Sequence, residues 1–180
     1  MKTPERKKQY GFTIIEVMLS LAILAILMTA VAFAFDASVT NYQTNKGIYQ
    51  TVNTARQALL RITNDLRSAQ AVALIGGGDP DNTQISLVTN IGTDITYRYD
   101  STDSTLYYDD NASGNSYVLC NNVTGVTFNR TEHEIERDNG AGGVETITAI
   151  RDVRVVLTLT DDSGDVSRTL AAATLVRKNQ

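Results

Sequence analysis

The sequence predicts an α+β protein in which a long N-terminal helix packs on an antiparallel β-rich head. Three observations carry that expectation. An apolar run from Phe12 to Phe35 contains a single charged residue, Glu16. Apolar residues then recur at alternating spacings of four and three, at Ile48, Val52, Ala55, Leu59, Ile62, Leu66, Ala69 and Ala73, which places them on one helical face. Beyond Gly76-Gly77-Gly78 the chain changes to short runs rich in β-branched and aromatic residues, separated by Asp, Asn, Ser and Gly. The expected segments are a tip over 1–11, a membrane-length helix over 12–35, an amphipathic helical continuation over 36–74 and a β-rich head over 75–180.

The tip is basic. Lys2, Arg6, Lys7 and Lys8 outweigh Glu5, a net charge of +3 that favours retention on the cytoplasmic side of a membrane. The run that follows is roughly 36 Å long at the helical rise, enough to cross a hydrocarbon core of about 30 Å. Glu16 is out of place in such a run, because an ionised carboxylate in hydrocarbon is costly and usually marks pairing or transport. Two plainer accounts compete. Ala30-Val31-Ala32 resembles the small-residue cleavage site of a secretory signal peptide, and the run could be a simple anchor. Neither accounts for Gly11, Phe12, Thr13 and Glu16 occurring together.

After Phe35 the helix is expected to continue. Arg56, Arg61, Asp65 and Arg67 fall between the apolar positions and can face solvent, while Asn41 and Gly47 mark a stretch able to bend. The same spacing would also suit a two-stranded coiled coil; the small Ala55 and Ala69 favour packing on a sheet. No proline interrupts Phe12 through Ala73. Ile75-Gly76-Gly77-Gly78-Asp79-Pro80 reads as a helix cap and turn. It is not a phosphate loop, since no Gly-Lys-Ser/Thr enters a helix there.

The β-prone runs are Ile85–Thr89, Asp94–Tyr99, Thr105–Tyr108, Tyr117–Cys120, Gly125–Asn129, Val144–Ala149, Val153–Thr160 and Ser167–Val176. Asp109 to Gly114 and Asp161 to Asp165 read as turns between antiparallel strands. Cys120 is the only cysteine, so an intrachain disulfide is impossible, and its apolar neighbours predict a buried strand residue.

Chemistry finds little support in the head. His133 lies in Thr131-Glu132-His133-Glu134-Ile135-Glu136-Arg137, with no second histidine to complete a zinc pair, and reads as part of a charged loop. The pairs Asp109-Asp110 and Asp161-Asp162 fall in turn-forming runs. Asp161, Asp162, Ser163 and Asp165 lack the spacing and terminal Glu of a calcium loop. No catalytic residue, metal or cofactor is expected. Tyr97, Tyr99, Tyr107, Tyr108 and Tyr117 could form a recognition surface, although half-buried sheet positions are the simpler account. Removing the tip takes the formal charge from −4 to about −7, which disfavours direct binding to nucleic acid.

The stretch Gly11-Phe12-Thr13-Ile14-Ile15-Glu16 closely resembles the N-terminus of type IV prepilins and type II secretion pseudopilins. The resemblance implies that Gly11 ends a leader, that Phe12 becomes the N-methylated terminus, and that Glu16 pairs with the Phe12 amine of a neighbour during assembly. More weakly, Ala58 to Ala69, Ile95 to Tyr99 and Val176-Arg177-Lys178-Asn179 resemble the larger minor class named after PilW and after component J of the secretion machine. Three departures stand out. Many major pilins have a C-terminal disulfide loop and a proline where this chain has Phe33, and the minor class tends to end in Arg-Asn without the inserted Lys178.

The resemblance implies a pilin-like fold, a single-pass inner-membrane location with the head outside the cytoplasm, and later a place in the filament or at its tip. The implied partners are a prepilin peptidase and methyltransferase, other minor pilins, the major pilin, the cytoplasmic membrane and an inner-membrane assembly platform. The leading expectation is a non-catalytic minor pilin that primes or caps a pilus. The alternatives are a J-like minor pseudopilin and, from another class, a membrane-anchored periplasmic binding or catalytic protein.

Overall fold

The computed structural model describes residues 11–140, 142–160 and 167–177. The chain divides into two compact units, Met1–Thr44 and Asn45–Gln180. It is α+β: among the described residues a long helix α1, Ile14–Ser68, precedes eight antiparallel strands. In the first unit the described helical residues are exposed throughout, with no core beneath them.

The second unit has its own core. Strands β1 (Ala71–Val72), β2 (Gln84–Val88), β3 (Asp94–Asp100), β4 (Thr105–Asp110) and β5 (Asn115–Cys120) form one sheet in chain order. Strands β6 (Val123–Asp138), β7 (Val144–Thr160) and β8 (Ser167–Leu175) form a second. On β7, Val153, Val155, Leu157 and Leu159 are buried while their neighbours are not, the period-two pattern of a sheet with one covered face. These side chains join Ala55, Leu59, Ile62 and Leu66 of α1 and Ile85, Tyr97 and Phe128 of the sheets in a single cluster. The helix therefore packs on sheet within this unit, which sets aside the coiled-coil reading for these residues.

Five local expectations need correction. The helix ends at Ser68 and does not continue to residue 74. Sheet pairing captures the next residues: Gln70 N–H donates to Val88 C=O at 2.8 Å, Ala73 N–H donates to Ser86 C=O at 2.9 Å, and Ala71 and Val72 form β1. The three glycines consequently cap no helix. They turn the chain between Leu74 and Asp79, with Gly76 at φ 76°, a left-handed conformation natural to glycine.

The run Thr131 to Arg137 is strand and not loop, because Glu132, Glu134 and Glu136 occupy one face of β6 while His133 and Ile135 occupy the other. Val144–Ala149 and Val153–Thr160 are one continuous strand, with a register shift in its pairing near Thr131 and Glu132. Asp109 and Asp110 belong to β4, and the turn begins only at Asn111. The Asp161–Asp165 segment lies outside the described residues.

A buried ion pair links the sheets. Arg130 on β6 reaches Asp79 at 2.6 Å, with side chains 1 % and 0 % exposed. Asp79 also accepts from Ser86 N–H at 3.0 Å and Ser86 Oγ at 2.6 Å, so its charge is met on several sides. Burial pulls the Arg130 pKa down, and the neighbouring Asp79 and Asp81 carboxylates push it back. Phe128 N–H donating to Asn82 C=O at 2.8 Å adds a backbone tie between β6 and the segment before β2.

Candidate assembly site

Thr13 starts the helix. Its hydroxyl oxygen accepts from Glu16 N–H at 3.3 Å, and its carbonyl accepts from Glu16 N–H at 3.2 Å and Val17 N–H at 3.3 Å. Thr-x-x-Glu is also the sequence of a capping box, with the acidic residue in the first turn facing the positive end of the helix dipole. This local role of Thr13 and Glu16 was legible in the spacing and is absent from the expectations above. It does not exhaust Glu16. Its side chain is exposed, and among the described residues it forms no ion pair.

Gly11 is unconstrained by this fold. A Cβ placed on it meets nothing within 4 Å, and its φ is not left-handed. Any requirement for glycine at this position must therefore come from another molecule that handles the backbone between Gly11 and Phe12. Phe12 itself is 80 % exposed.

From Val17 to Phe35 no residue is charged. The hydroxyls in this stretch are satisfied within the helix: Ser20 Oγ donates to Glu16 C=O and Thr29 Oγ1 to Ala25 C=O, each at 2.8 Å. A helix of this length and composition is suited to cross a membrane. Between Ile14 and Phe35 it holds a single residue with a formal charge, Glu16.

In the second unit, Ala55, Leu59, Ile62 and Leu66 are buried, while Ile48 and Val52 are half-buried. Ala58 joins the buried face and was missed, since an alanine between Ala55 and Leu59 gives no distinctive signal. Asp65, expected to face solvent, is only partly exposed and accepts from the Tyr97 hydroxyl at 2.5 Å. Burial first, and that hydrogen bond second, push the Tyr97 pKa well above the ordinary phenol value.

The remaining candidates are placed apart. His133 lies opposite Ala149 on the β6–β7 ribbon. Asp109 is paired with Arg98 at 2.9 Å. Asp110 accepts from Ala112 N–H at 3.1 Å and Ser113 N–H at 3.3 Å, and these turn bonds, the Ser113 contacts foremost, hold its carboxyl below the usual range. The two adjacent aspartates thus serve an ion pair and a turn. Cys120 is buried, and burial pushes its thiol up to about 11, which keeps it protonated and unreactive at neutral pH.

A membrane-length apolar helix with one acidic residue in its first turn, followed by an α+β head, is the outline of a pilin-type subunit. Residues 6–32 match the model of the prokaryotic N-terminal methylation motif, which supports a type IV pilin-like or pseudopilin-like prepilin. No curated protein and no solved structure matches the chain.

Proposed function

We propose that this chain is a minor pilin, cleaved between Gly11 and Phe12 by a prepilin peptidase and N-methylated on Phe12. It then co-assembles with other minor pilins to prime or cap a type IV pilus of major pilin, on an inner-membrane assembly platform. The carrying observation is Glu16, exposed and without an ion-pair partner among the described residues, at the head of an apolar helix inside the methylation motif. Two desolvated charges, the Phe12 amine of one subunit and Glu16 of its neighbour, offset each other's cost in hydrocarbon. The role is structural: the helix contributes to a filament core, the head stays outside the cytoplasm, and no cofactor takes part.

Electron microscopy of a strain lacking only this protein, beside a complemented control, tests the reading. Loss of surface pili restored by complementation supports it. Unchanged pili overturn it in favour of the equivalent minor pseudopilin of a type II secretion machine, whose deletion would instead retain folded proteins in the periplasm.

A further inference from the structure

On the first sheet, Ile85, Leu87, Ile95 and Tyr97 point into the core, and the residues that alternate with them face outward. A groove of about 530 Å³ opens on that outer face, lined in part by Gln84, Ser86, Asp94, Thr96 and Asn111. Behind it lies a chain of hydrogen bonds that ends at buried Asp79.

The buried end fixes the direction of every bond in the chain. Asp79 is a carboxylate held by Arg130 and 1 % exposed, so it can only accept. Ser86 Oγ therefore donates to it, at 2.6 Å. With that proton spent, Ser86 Oγ must accept in its 2.8 Å contact with Thr96 Oγ1, which makes Thr96 the donor. Thr96 Oγ1 in turn accepts from Asn111 Nδ2 at 3.0 Å, and the second Asn111 N–H goes to Asp94 Oδ1, also at 3.0 Å. All the donors of this chain are used.

Acceptors remain. Among the described residues no donor reaches Asn111 Oδ1 or the other Asp94 carboxylate oxygen. Gln84, whose Nε2 donates to Asp79 at 3.3 Å, keeps its carbonyl oxygen and one N–H. The charge around the groove has the matching sign. On this face of β3 and β4, Asp94, Asp100 and Asp109 accompany the single cation Arg98, which bridges Asp109 at 2.9 Å and Asp100 at 3.2 Å. Arg130 beneath is offset by Asp79.

We propose that the groove binds a primary ammonium group. An ammonium carries three N–H donors, no acceptor and one positive charge, the complement of free carboxylate and carbonyl oxygens in a negative field. Anions meet acceptors to which they have nothing to donate. Neutral hydroxyls donate but gain nothing from the sign of the field. A calcium ion asks for about six to eight oxygens, several of them from carboxylates, and the groove lining holds one carboxylate, Asp94. The ammonium belongs either to a lysine side chain of another protein or to a free amine. This assignment stands on the bond network and is independent of the pilin reading.

The test titrates the isotope-labelled full-length chain in detergent micelles, at constant ionic strength, and follows the Asn111 side-chain amide by NMR. Butylammonium is compared with tetramethylammonium, which has the same charge and no N–H. Saturable shifts are expected with butylammonium at about tenfold higher affinity, and Asp94→Asn, which still offers Asn111 an acceptor, should weaken that binding about tenfold. Equal affinity for the two cations, unchanged affinity in Asp94→Asn, tighter binding of calcium or glucose, or no shift would each overturn the proposal. The comparison of cations uses the unaltered chain, so it holds even where the variant does not fold. Acetyl-lysine methylamide and putrescine then separate the sources: tighter binding of the first assigns the groove to a protein lysine, and of the second to a free amine.

Discussion

On one helix, Leu21 and Leu27 are 60 % and 57 % exposed, whereas Leu59 and Leu66 are 6 % and 0 % exposed. The residue type and the backbone conformation are the same; the surroundings differ. Within Asn45–Gln180 the helix finds two sheets of the same chain to cover it, and within Met1–Thr44 it finds no cover among the described residues. At about 25 cal/mol for each Å² of apolar surface removed from water, a bare stripe of this length is unsustainable in solution, so lipid or other helices must supply its cover. The first unit is completed by its environment, the second by its own fold. Substitutions in the two units should accordingly fail in different assays.

The sharpest separation is expected at Gly11. Replacing it with a bulky residue, Gly11→Phe, leaves the fold untouched, since the position is open, but should block cleavage and abolish assembly. Immunoblots should show only the uncut precursor, while the head resists protease as before; normal processing would sink the prepilin reading. Glu16→Ala should insert at least as well as the parent chain, because the helix loses a charge, yet show several-fold fewer crosslinks to neighbouring pilins. Unchanged contacts would remove the pairing account of Glu16.

In the head, the buried ion pair carries the largest single effect. Arg130→Met leaves Asp79 charged and uncompensated, and should destabilise the unit by about 3–5 kcal/mol in denaturant unfolding. A loss under about 1 kcal/mol would mean that the Ser86 hydrogen bonds suffice for Asp79. Ile62→Ala should cost about 2–5 kcal/mol through the cavity it opens under the sheets, with processing at Gly11 unaffected.

The smallest effect is pH-linked. Folded Tyr97 holds its proton above the ordinary phenol value, so its contribution is complete below about pH 10 and is lost as pH rises beyond that. Tyr97→Phe should lower stability by about 1–2 kcal/mol at neutral pH through loss of the bond to Asp65, and should flatten the decline at alkaline pH. An undiminished alkaline decline in the variant would assign it to other groups.

Much of this was legible in the sequence. The strands β2, β3 and β8 follow their β-prone runs within a residue or two, because alternation and turn residues are local signals. The end of α1 was not legible, because Gln70, Ala71 and Ala73 are good helix formers whose segment is claimed by pairing with β2, a competitor that appears only once the chain has folded. The first part of β6 follows the β-prone run Gly125–Asn129, but its continuation from Thr131 to Arg137 was mistaken for a charged loop through attention to composition; the Glu132-Glu134-Glu136 alternation was present and unread. The Asp79–Arg130 pair joins residues far apart in the chain, and nothing in the local pattern around Pro80 marks Asp79 as buried. At the N-terminus the reverse holds: the proposed site is contiguous from Gly11 to Glu16, inside the matched methylation motif, so its residues lie in one short local pattern.

One consequence of the core concerns force. Ala55, Leu59, Ile62 and Leu66 interdigitate with residues of both sheets over about three helical turns. A tensile load carried along α1 into this unit must slide several buried side chains past the sheets together, loading the contacts in shear, and Arg130 clamps the strands they slide against. Rupture then requires many contacts to fail at once, where peeling would break them singly. A head packed in this way would resist load applied along its helix.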